Sequence, residues 1–308
     1  MPVHDLTSVR RLYRGPTEIL RRYRGTQLLW SKPLVSADLI FRYLAVGGGG
    51  AGRSGGYAAS GGGAGGDVLR DIVNLGAATL ISVTGSPVVI PGVTYFGEVG
   101  DTYVFDANGS IEFSTGVLNI SVGASRPSVD YFSTQLAGNP TTISGLLSLT
   151  AHGGQSGGGG FSSEDGASGP GNGGGGGNGG AGGTSSSGGY AGGGSTTDNG
   201  GGGGGAGGAG GDGYYSEVDG VVGGLGGVGV TDDITGVALT YGEGGCGAAR
   251  WGDSRTSVAG SGGYGGTDAA RAGGNGVDGT GSGGGGSSSD DTLGGTGGRG
   301  RFAVHIRS

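Results

Sequence analysis

Residues 200–205 read Gly-Gly-Gly-Gly-Gly-Gly, and four further uninterrupted glycine runs occupy residues 47–50, 157–160, 173–177 and 283–286. They belong to a total of 89 glycines in a chain of 308 residues. A glycine run has no side chains to bury, and ordering each residue costs roughly 1–2 kcal/mol of backbone entropy. Such runs therefore form either disordered linkers or backbone helices packed so closely that only glycine fits between them.

The composition around the glycine runs favours the ordered alternative. Hydrophobic residues make up 33% of the chain and the net charge is only −7, whereas disordered chains are poorer in apolar residues. With 8 prolines and no Gly-X-Y repeat, the chain is not collagen. The remaining geometry is an extended helix with three residues per turn and a rise of about 3.1 Å per residue. We expect a mainly β or irregular fold, built as a sandwich of polyglycine II helices with a β-rich subdomain and essentially no α-helix.

The first 33 residues contain a tandem repeat with a period of ten. Residues 11–20 align with residues 21–30, and each copy reads as a strand, an Arg-Gly turn and a second strand. Hairpins of this size bury no core of their own. The segment carries a net charge of +5, against −12 for the remainder. We interpret it as a basic attachment arm, with a flexible basic tail as the alternative. The residues expected to anchor it are Tyr13, Arg14, Tyr23, Arg24 and Trp30.

Strand patterns divide the chain further. Residues 37–46 form an apolar strand that runs into the first glycines, and residues 301–307 alternate apolar and polar side chains. Pairing these two strands would close the domain and leave its opposite end free. The predicted divisions are the arm at residues 1–36, the opening strand and first glycine runs at 37–66, the β-rich subdomain at 67–152, and the glycine-rich domain at 153–308.

The β-rich subdomain contains a strong turn signal. Asn108-Gly109 lies between two strand-like segments, 102–105 and 111–114, and predicts a hairpin. Further strands are expected at residues 88–90, 93–96, 117–122 and 143–149. In the glycine-rich domain the segments between runs are expected to be loops, except that residues 234–241 read as a strand.

Three segments, in this order, resemble a known family. Residues 41–50 read Phe-Arg-Tyr-Leu-Ala-Val-Gly-Gly-Gly-Gly, residues 234–245 contain Ile-Thr-Gly and then Tyr-Gly-Glu-Gly-Gly, and residues 299–307 read Arg-Gly-Arg-Phe-Ala-Val-His-Ile-Arg. The pattern is similar to the glycine-rich domain of bacteriophage tail-fibre and minor tail proteins, over about residues 38–307. Residues 23–30 similarly resemble an N-terminal segment of phage minor tail proteins. The β-rich stretch at 67–150 is longer than the usual spacing of that family.

The resemblance implies a function. Related fibre-tip adhesins stack polyglycine II helices and use distal loops to bind a receptor on the bacterial surface. It implies a virion tail protein made in the host cytoplasm, with other tail or baseplate proteins as partners of residues 1–33. It also implies a homo-oligomer, and a host surface polysaccharide or protein as receptor. No nucleic-acid partner is expected, because the body of the chain is acidic.

Patterns for enzyme chemistry are weak. The Gly-x-Gly-x-x-Gly matches lack the following helix that a dinucleotide site needs. The three histidines show no triad or metal-ligand spacing, and Cys246, the single cysteine, is expected to be buried beside the lattice. The aspartates near residues 212–219 and 232–233 do not sustain a calcium-binding repeat. We therefore expect no enzyme, cofactor or metal. The polar N-terminus resembles no signal peptide and no apolar run is long enough to span a membrane.

Aromatic residues in small, polar loops are the best candidates for binding. Such a residue either fills a gap at the lattice edge or stacks on a receptor, where Tyr and Trp dominate binding energy. Arg250 and Trp251 belong to the strongest single segment, which mixes an aromatic with charges of both signs. The candidate receptor-binding residues are Tyr190, Tyr214, Tyr215, Arg250, Trp251 and Arg255.

Two other functions remain open from the sequence. The protein could be a purely structural tail or capsid-decoration protein that touches no host. It could also be a bacterial glycine-rich cell-wall protein, which residues 172–183 resemble locally. That second class is expected to carry a helical export domain ahead of its repeats, and the arm here has strand-like character instead.

Deletion of residues 1–33 tests the attachment arm. The expected product is a folded body that no longer incorporates into particles, because the tandem hairpins supply the anchor while the core lies elsewhere. The measurement compares thermal melts and the amount of protein in purified particles for the full chain and the truncation. Normal incorporation of the truncated protein would contradict the assignment.

Overall fold

A computed structural model gives the fold. It describes residues 13–14, 17–18, 21–24, 27–31, 38–56, 58–95, 98–128, 135–160, 163–187, 189–217, 219–251, 260–289 and 291–307. The chain divides into two compact units, Met1–Ala37 and Asp38–Ser308. In the first unit β1 (Tyr13–Arg14) pairs with β2 (Thr17–Glu18), and β3 (Arg21–Arg24) pairs with β4 (Gln27–Ser31), both antiparallel. Each copy of the ten-residue repeat thus contains paired strands, as the sequence predicts.

The second unit contains fourteen strands in the residues described. They are β5 (Ile40–Val46), β6 (Val68–Asn74), β7 (Leu80–Thr84), β8 (Val88–Tyr95), β9 (Glu98–Phe105), β10 (Gly109–Phe113), β11 (Gly116–Ser121), β12 (Thr141–Gly145), β13 (Leu149–Ala151), β14 (Tyr214–Ser216), β15 (Gly220–Val222), β16 (Val230–Asp232), β17 (Leu239–Tyr241) and β18 (Arg301–Arg307).

The glycine segments form a lattice of threefold helices, and residues 61–66 show its period. Successive amides donate to three different neighbouring segments, and every third amide returns to the same neighbour. The bonds run from Gly61 to Gly158, Gly62 to Gly201, Gly63 to Gly284, Ala64 to Gln155, Gly65 to Gly204 and Gly66 to Gly281. In two of the neighbours the residue number of the acceptor falls by three from one bond to the next, from 158 to 155 and from 284 to 281. In the third neighbour it rises by three, from 201 to 204. Two neighbours are therefore antiparallel and one is parallel. This three-residue period is that of a polyglycine II helix.

Close approach of backbones explains why these positions are glycine. A Cβ atom built on Gly61 would lie within 3.0 Å of the carbonyl oxygen of Gly175. A Cβ on Gly62 would meet the carbonyl of Gly245 equally closely, and one on Gly203 would meet that of Gly63. Because the obstructing atoms are backbone, no side-chain rotation relieves the overlap. The lattice therefore requires glycine at these sites, and the predicted sandwich of polyglycine II helices is confirmed.

Two five-stranded antiparallel sheets form a sandwich at one end of the lattice. The first has the order β6-β5-β18-β9-β8 and the second β13-β12-β11-β10-β7. Their facing side chains include Phe41, Phe105, Phe113 and Phe302, all almost fully buried. The rings of Phe41 and Phe113 stack with centroids 6.0 Å apart. The sandwich thus supplies the apolar core that the glycine segments lack.

The opening and closing strands pair with each other, as predicted. β5 and β18 are antiparallel neighbours at the centre of the first sheet, with Val46 opposite Arg301 and Ile40 opposite Arg307. They share this sheet with β6, β8 and β9, so the strands of residues 67–152 do not form a sheet system of their own. The second unit therefore begins and ends at the same side of the sandwich.

A hairpin covers the other face of the first sheet. β16 and β17 pair through residues 230–241 and bring Ile234 and Tyr241 against Leu44 and Val104. Strand alternation directs Ala303 to this face, while Phe302 and Val304 face the second sheet. The sequence prediction of one continuous strand at 234–241 is wrong, because only Leu239–Tyr241 is extended. The preceding residues turn, and the carboxylate of Asp232 accepts the amide of Ile234 at 2.9 Å.

The hairpin predicted at Asn108-Gly109 is also wrong. β9 pairs with β8 and β18 in the first sheet, whereas β10 pairs with β7 and β11 in the second. The connecting residues cross between the sheets. Asp106 accepts two hydrogen bonds from Arg301, at 2.7 and 2.9 Å, and Asn108 accepts the amide of Val122 at 2.9 Å. These tertiary contacts override the local turn preference.

Residues 143–149 form part of a hairpin, where the sequence predicted one strand. Thr141 pairs with Ala151 and Ile143 with Leu149 across β12 and β13. The expectation of essentially no α-helix holds in the described ranges, which contain none. Consequently no helix in those ranges is long and apolar enough to cross a membrane.

Substitution of a lattice glycine tests the close packing. Gly62→Ala should lower the free energy of unfolding by about 1–3 kcal/mol or more, because the added methyl group meets a backbone carbonyl. Gly194→Ala is the control, since its Cβ would lie 3.7 Å from the nearest neighbouring heavy atom, a carboxylate oxygen of Asp212. The control should be neutral or stabilising. Equal chemical-denaturation midpoints for the two variants would contradict the lattice packing.

Asp67 gives the stability a pH dependence. This residue ends the central glycine helix, and burial raises the pKa of its carboxyl above the ordinary 3.8, although His152 opposes the shift by its charge and its backbone amide. Stability due to the protonated carboxyl is therefore fully present below pH 3.8 and is lost as the pH rises through the raised pKa.

Asp67→Asn should remove that loss. We expect the variant to melt at a higher temperature than the native protein at pH 7, with the difference vanishing toward pH 3. Asp71→Asn removes the same charge from an exposed position on β6 and serves as the control. A melting difference for Asp67→Asn that is independent of pH would contradict the raised pKa.

Candidate functional site

The lattice has two distinct ends. One continues into the sandwich, because β5, β6, β13, β17 and β18 each adjoin a glycine helix directly. At the other end, hydrogen bonds place Ser60, Ala248 and Ser287 at one level: the amide of Ser60 donates to Ser287, and that of Ala248 donates to Ser60. We call this second end the free end. Its described loops are residues 54–56, 163–165, 178–180, 195–199, 214–217, 219–222, 249–251, 267–271 and 288–289.

Serine hydroxyls hold the free-end loops in place. Ser54 and Ser287 both donate to the carbonyl of Thr292, each at 2.9 Å. The hydroxyl of Ser60 accepts the amide of Ser287 at 2.8 Å, and that of Ser287 accepts the amide of Gly55 at 2.8 Å. The loops are therefore continuations of the hydrogen-bonded lattice, and their backbones are largely fixed before any ligand arrives.

A buried ion pair closes the loop at 163–165. The guanidinium of Arg53, only 1% exposed, lies 3.5 Å from the carboxylate of Glu164. The same carboxylate accepts the amide of Gly159 at 3.0 Å and the side-chain amide of Gln135 at 3.2 Å. The Arg53 charge is therefore buried within the protein, and the Glu164 carboxylate, which is 34% exposed, is held by three internal partners.

Trp251 is the most conspicuous side chain of the free end. It is 66% exposed and has a φ of 66°, in the left-handed region that bulky residues rarely adopt. The guanidinium of Arg250 lies 5.2 Å from the centre of its ring, within the range of a cation–π contact. The backbone beneath is anchored, since the amide of Arg250 donates to Asp198 at 2.9 Å. Exposed, strained aromatic residues held in this way are typical of binding sites.

A cleft of about 380 Å³ lies beside Trp251. Three chain segments and the turn at Gly56 enclose it, and its lining residues are Gly56, Arg250, Trp251, Asp268, Arg271, Ser288 and Ser289. The walls are tied to each other, because Ser288 donates its amide to the carbonyl of Arg271 at 3.0 Å and its hydroxyl to that of Thr267 at 2.7 Å. The volume falls within the range of about 300–1,000 Å³ common for ligand sites.

Tyr214 and Tyr215 lie on a separate hairpin of the free end. β14 and β15 pair with Tyr215 opposite Val221, and Tyr214 and Tyr215 are 43% and 68% exposed. The turn of this hairpin approaches the cleft segment, since a Cβ on Gly220 would lie 3.8 Å from the carbonyl oxygen of Trp251. Four of the six predicted binding residues thus belong to neighbouring loops at one end.

Tyr190 lies apart from them, at the sandwich end. It lines a smaller cleft of about 180 Å³ together with Asp67, Val68 and Leu69. Its amide donates to the side chain of Asn172 at 2.8 Å. The structure therefore does not bring Tyr190 together with the other candidates. Arg255, the sixth candidate, lies outside the described residues.

Two residues of the glycine-rich domain take packing roles. The ring of Tyr264 covers Gly274, where an added Cβ would overlap it, although Tyr264 remains 49% exposed. Cys246 is buried within the lattice, as expected.

Sequence reasoning missed Arg271 and Asp268 as site residues. The sequence predicts only a loop between glycine helices for both, and their separation of about twenty residues from Arg250 does not indicate that they lie near it. The lattice register brings them together, because residues 248–249 and 266–267 belong to adjacent helices, where Ala249 donates to Gly266 at 3.0 Å. The sequence does contain one indication of a site, because Asp268 and Arg271 are charged residues in a short segment between glycine pairs.

The described residues contain no group of three or more His, Cys, Asp or Glu side chains that could hold a metal ion. The sequence matches no protein-family model and no curated protein. The geometry of the free end is accordingly the main structural guide to function.

Proposed function

We propose that this protein is a tail-fibre or minor tail protein of a bacteriophage virion, anchored by residues 1–33, that binds a receptor on the host-cell surface through its free end. The single observation that carries the proposal is Trp251, exposed and left-handed on an anchored backbone beside a cleft. The resemblance of residues 38–307 to phage glycine-rich tail domains supplies the biological setting.

The position of the site supports this function. The second unit starts and finishes on the side of the sandwich away from the lattice, as the pairing of Ile40 with Arg307 indicates. Attachment through the preceding residues would leave the free end directed away from the point of attachment within this unit. The receptor would then meet the loops that carry Tyr214, Tyr215 and Trp251 first.

Energetics also favour binding by these loops. Their backbones are hydrogen-bonded to the lattice, so binding orders few additional degrees of freedom. The loops carry Tyr, Trp, Ser, Asn and Asp, residue types that are also common in antibody binding loops. Among the described residues that line the cleft, the side chains are those of Arg250, Trp251, Asp268, Arg271, Ser288 and Ser289, which suit binding.

Alanine variants of the free-end aromatics test the proposal. Trp251→Ala and the double variant Tyr214→Ala/Tyr215→Ala should each lower the adsorption rate of particles to host cells by about tenfold or more. The reason is that aromatic side chains that become buried in an interface carry much of its binding energy. Tyr190→Ala is the matched control. Tyr190 is 45% exposed, close to the 43% of Tyr214, but it lies at the sandwich end.

The measurement requires intact particles. Thermal melts and the amount of protein per particle should be the same in all variants. Unchanged adsorption in both free-end variants would contradict receptor binding and favour a purely structural virion protein. Equal loss in the Tyr190→Ala control would place the receptor site elsewhere.

A further inference from the structure

We infer that the free-end cleft binds an anionic saccharide, with the acidic substituent on Arg271 and a sugar ring against Trp251. This inference rests on the proposed receptor-binding function and specifies the class of receptor. It is carried by the side chains that the lattice register brings together around one cleft.

Basic side chains outnumber acidic ones among the described residues that line the cleft. The whole chain carries a net charge of −7, whereas the charged residues of this described lining are Arg250, Arg271 and Asp268. Arg271 is exposed and forms no ion pair with any described residue. A guanidinium offers a planar fork of donors that matches a carboxylate or phosphate. An acidic group on the ligand therefore finds a complementary partner here that most of the surface does not provide.

The remaining lining suits a sugar better than an apolar molecule. Trp251 offers a flat, exposed surface for stacking, while Arg250 lies over its ring and orients it. The hydroxyl of Ser289 and the carboxylate of Asp268 add polar groups within the same cleft. Aliphatic side chains, which an apolar ligand would need, are absent from the described lining.

A test uses the full chain with Trp30→Phe, which leaves Trp251 as the single tryptophan and a fluorescent reporter of the cleft. The probes are dextran, carboxymethyl-dextran and dextran phosphate, which share a glucose backbone and differ in the acidic group. Polyglutamate supplies negative charge without a sugar. Binding is measured by tryptophan fluorescence and calorimetry at about 0.15 M salt, where long-range charge effects are screened.

At least one anionic dextran should bind about tenfold or more tightly than dextran, as expected for a charge-assisted contact. A preference between the carboxylated and phosphorylated forms identifies which acidic group the receptor carries. Arg271→Gln should weaken that binding by about tenfold, and Asp268→Asn should strengthen it by removing a like charge. Arg299→Gln, the same charge change at an exposed position near the sandwich, should leave it unaltered.

Three results would contradict binding of an anionic saccharide. Failure of both anionic dextrans to bind, or binding no tighter than dextran, overturns the inference. Equal weakening by Arg271→Gln and Arg299→Gln also overturns it, since the attraction would then be non-specific. Equal or tighter binding of polyglutamate indicates an acidic protein instead. Receptor binding itself is judged by the adsorption of Trp251→Ala particles, so it survives any of these results if adsorption depends on Trp251.

Discussion

The fold depends on contact between backbones that carry no side chains. Every amide of residues 61–66 donates to a carbonyl of another segment. The most distant of these three neighbouring segments lies about two hundred residues further along the chain. Such a lattice has no hydrogen bonds within a helix, so each segment is ordered only when its neighbours are in place. The entropy cost of ordering glycine is large, and long-range hydrogen bonds together with dense packing must offset it.

The lattice in turn needs the β-sandwich. Glycine helices bury little apolar surface, whereas the facing sheets bury Phe41, Phe105, Phe113 and Phe302 in one core. Because several strands continue directly into glycine helices, the register of the sheet also sets the register of the lattice. Val46, for example, is opposite Arg301 in the sheet, and Gly49 then donates to Gly298 in the lattice. The apolar core and the backbone lattice are thus one cooperative unit.

This division explains which features could be predicted from the sequence. Glycine runs and the strands at residues 37–46 and 301–307 depend on local composition and period, and the predicted lattice and strand pairing are confirmed. The turn at Asn108-Gly109 was mispredicted because its flanking strands join different sheets, which only the Arg301–Asp106 contact and the sheet order reveal. The place of Arg271 in the cleft could not be predicted for the same reason, because the register of the lattice determines which residues lie beside it.

The same physics confines variation to the ends of the glycine helices. A side chain added to any glycine within residues 61–66 meets a backbone carbonyl, whereas the side chains of Trp251 and Arg271 are exposed at the free end. Even the left-handed backbone at Trp251 is tolerated there, because Ala249 and Arg250 are already held by Gly266 and Asp198. The unusual backbone of one exposed residue is therefore held by the hydrogen bonds of its two predecessors. A surface of this kind can change its side chains while the fold beneath it stays constant.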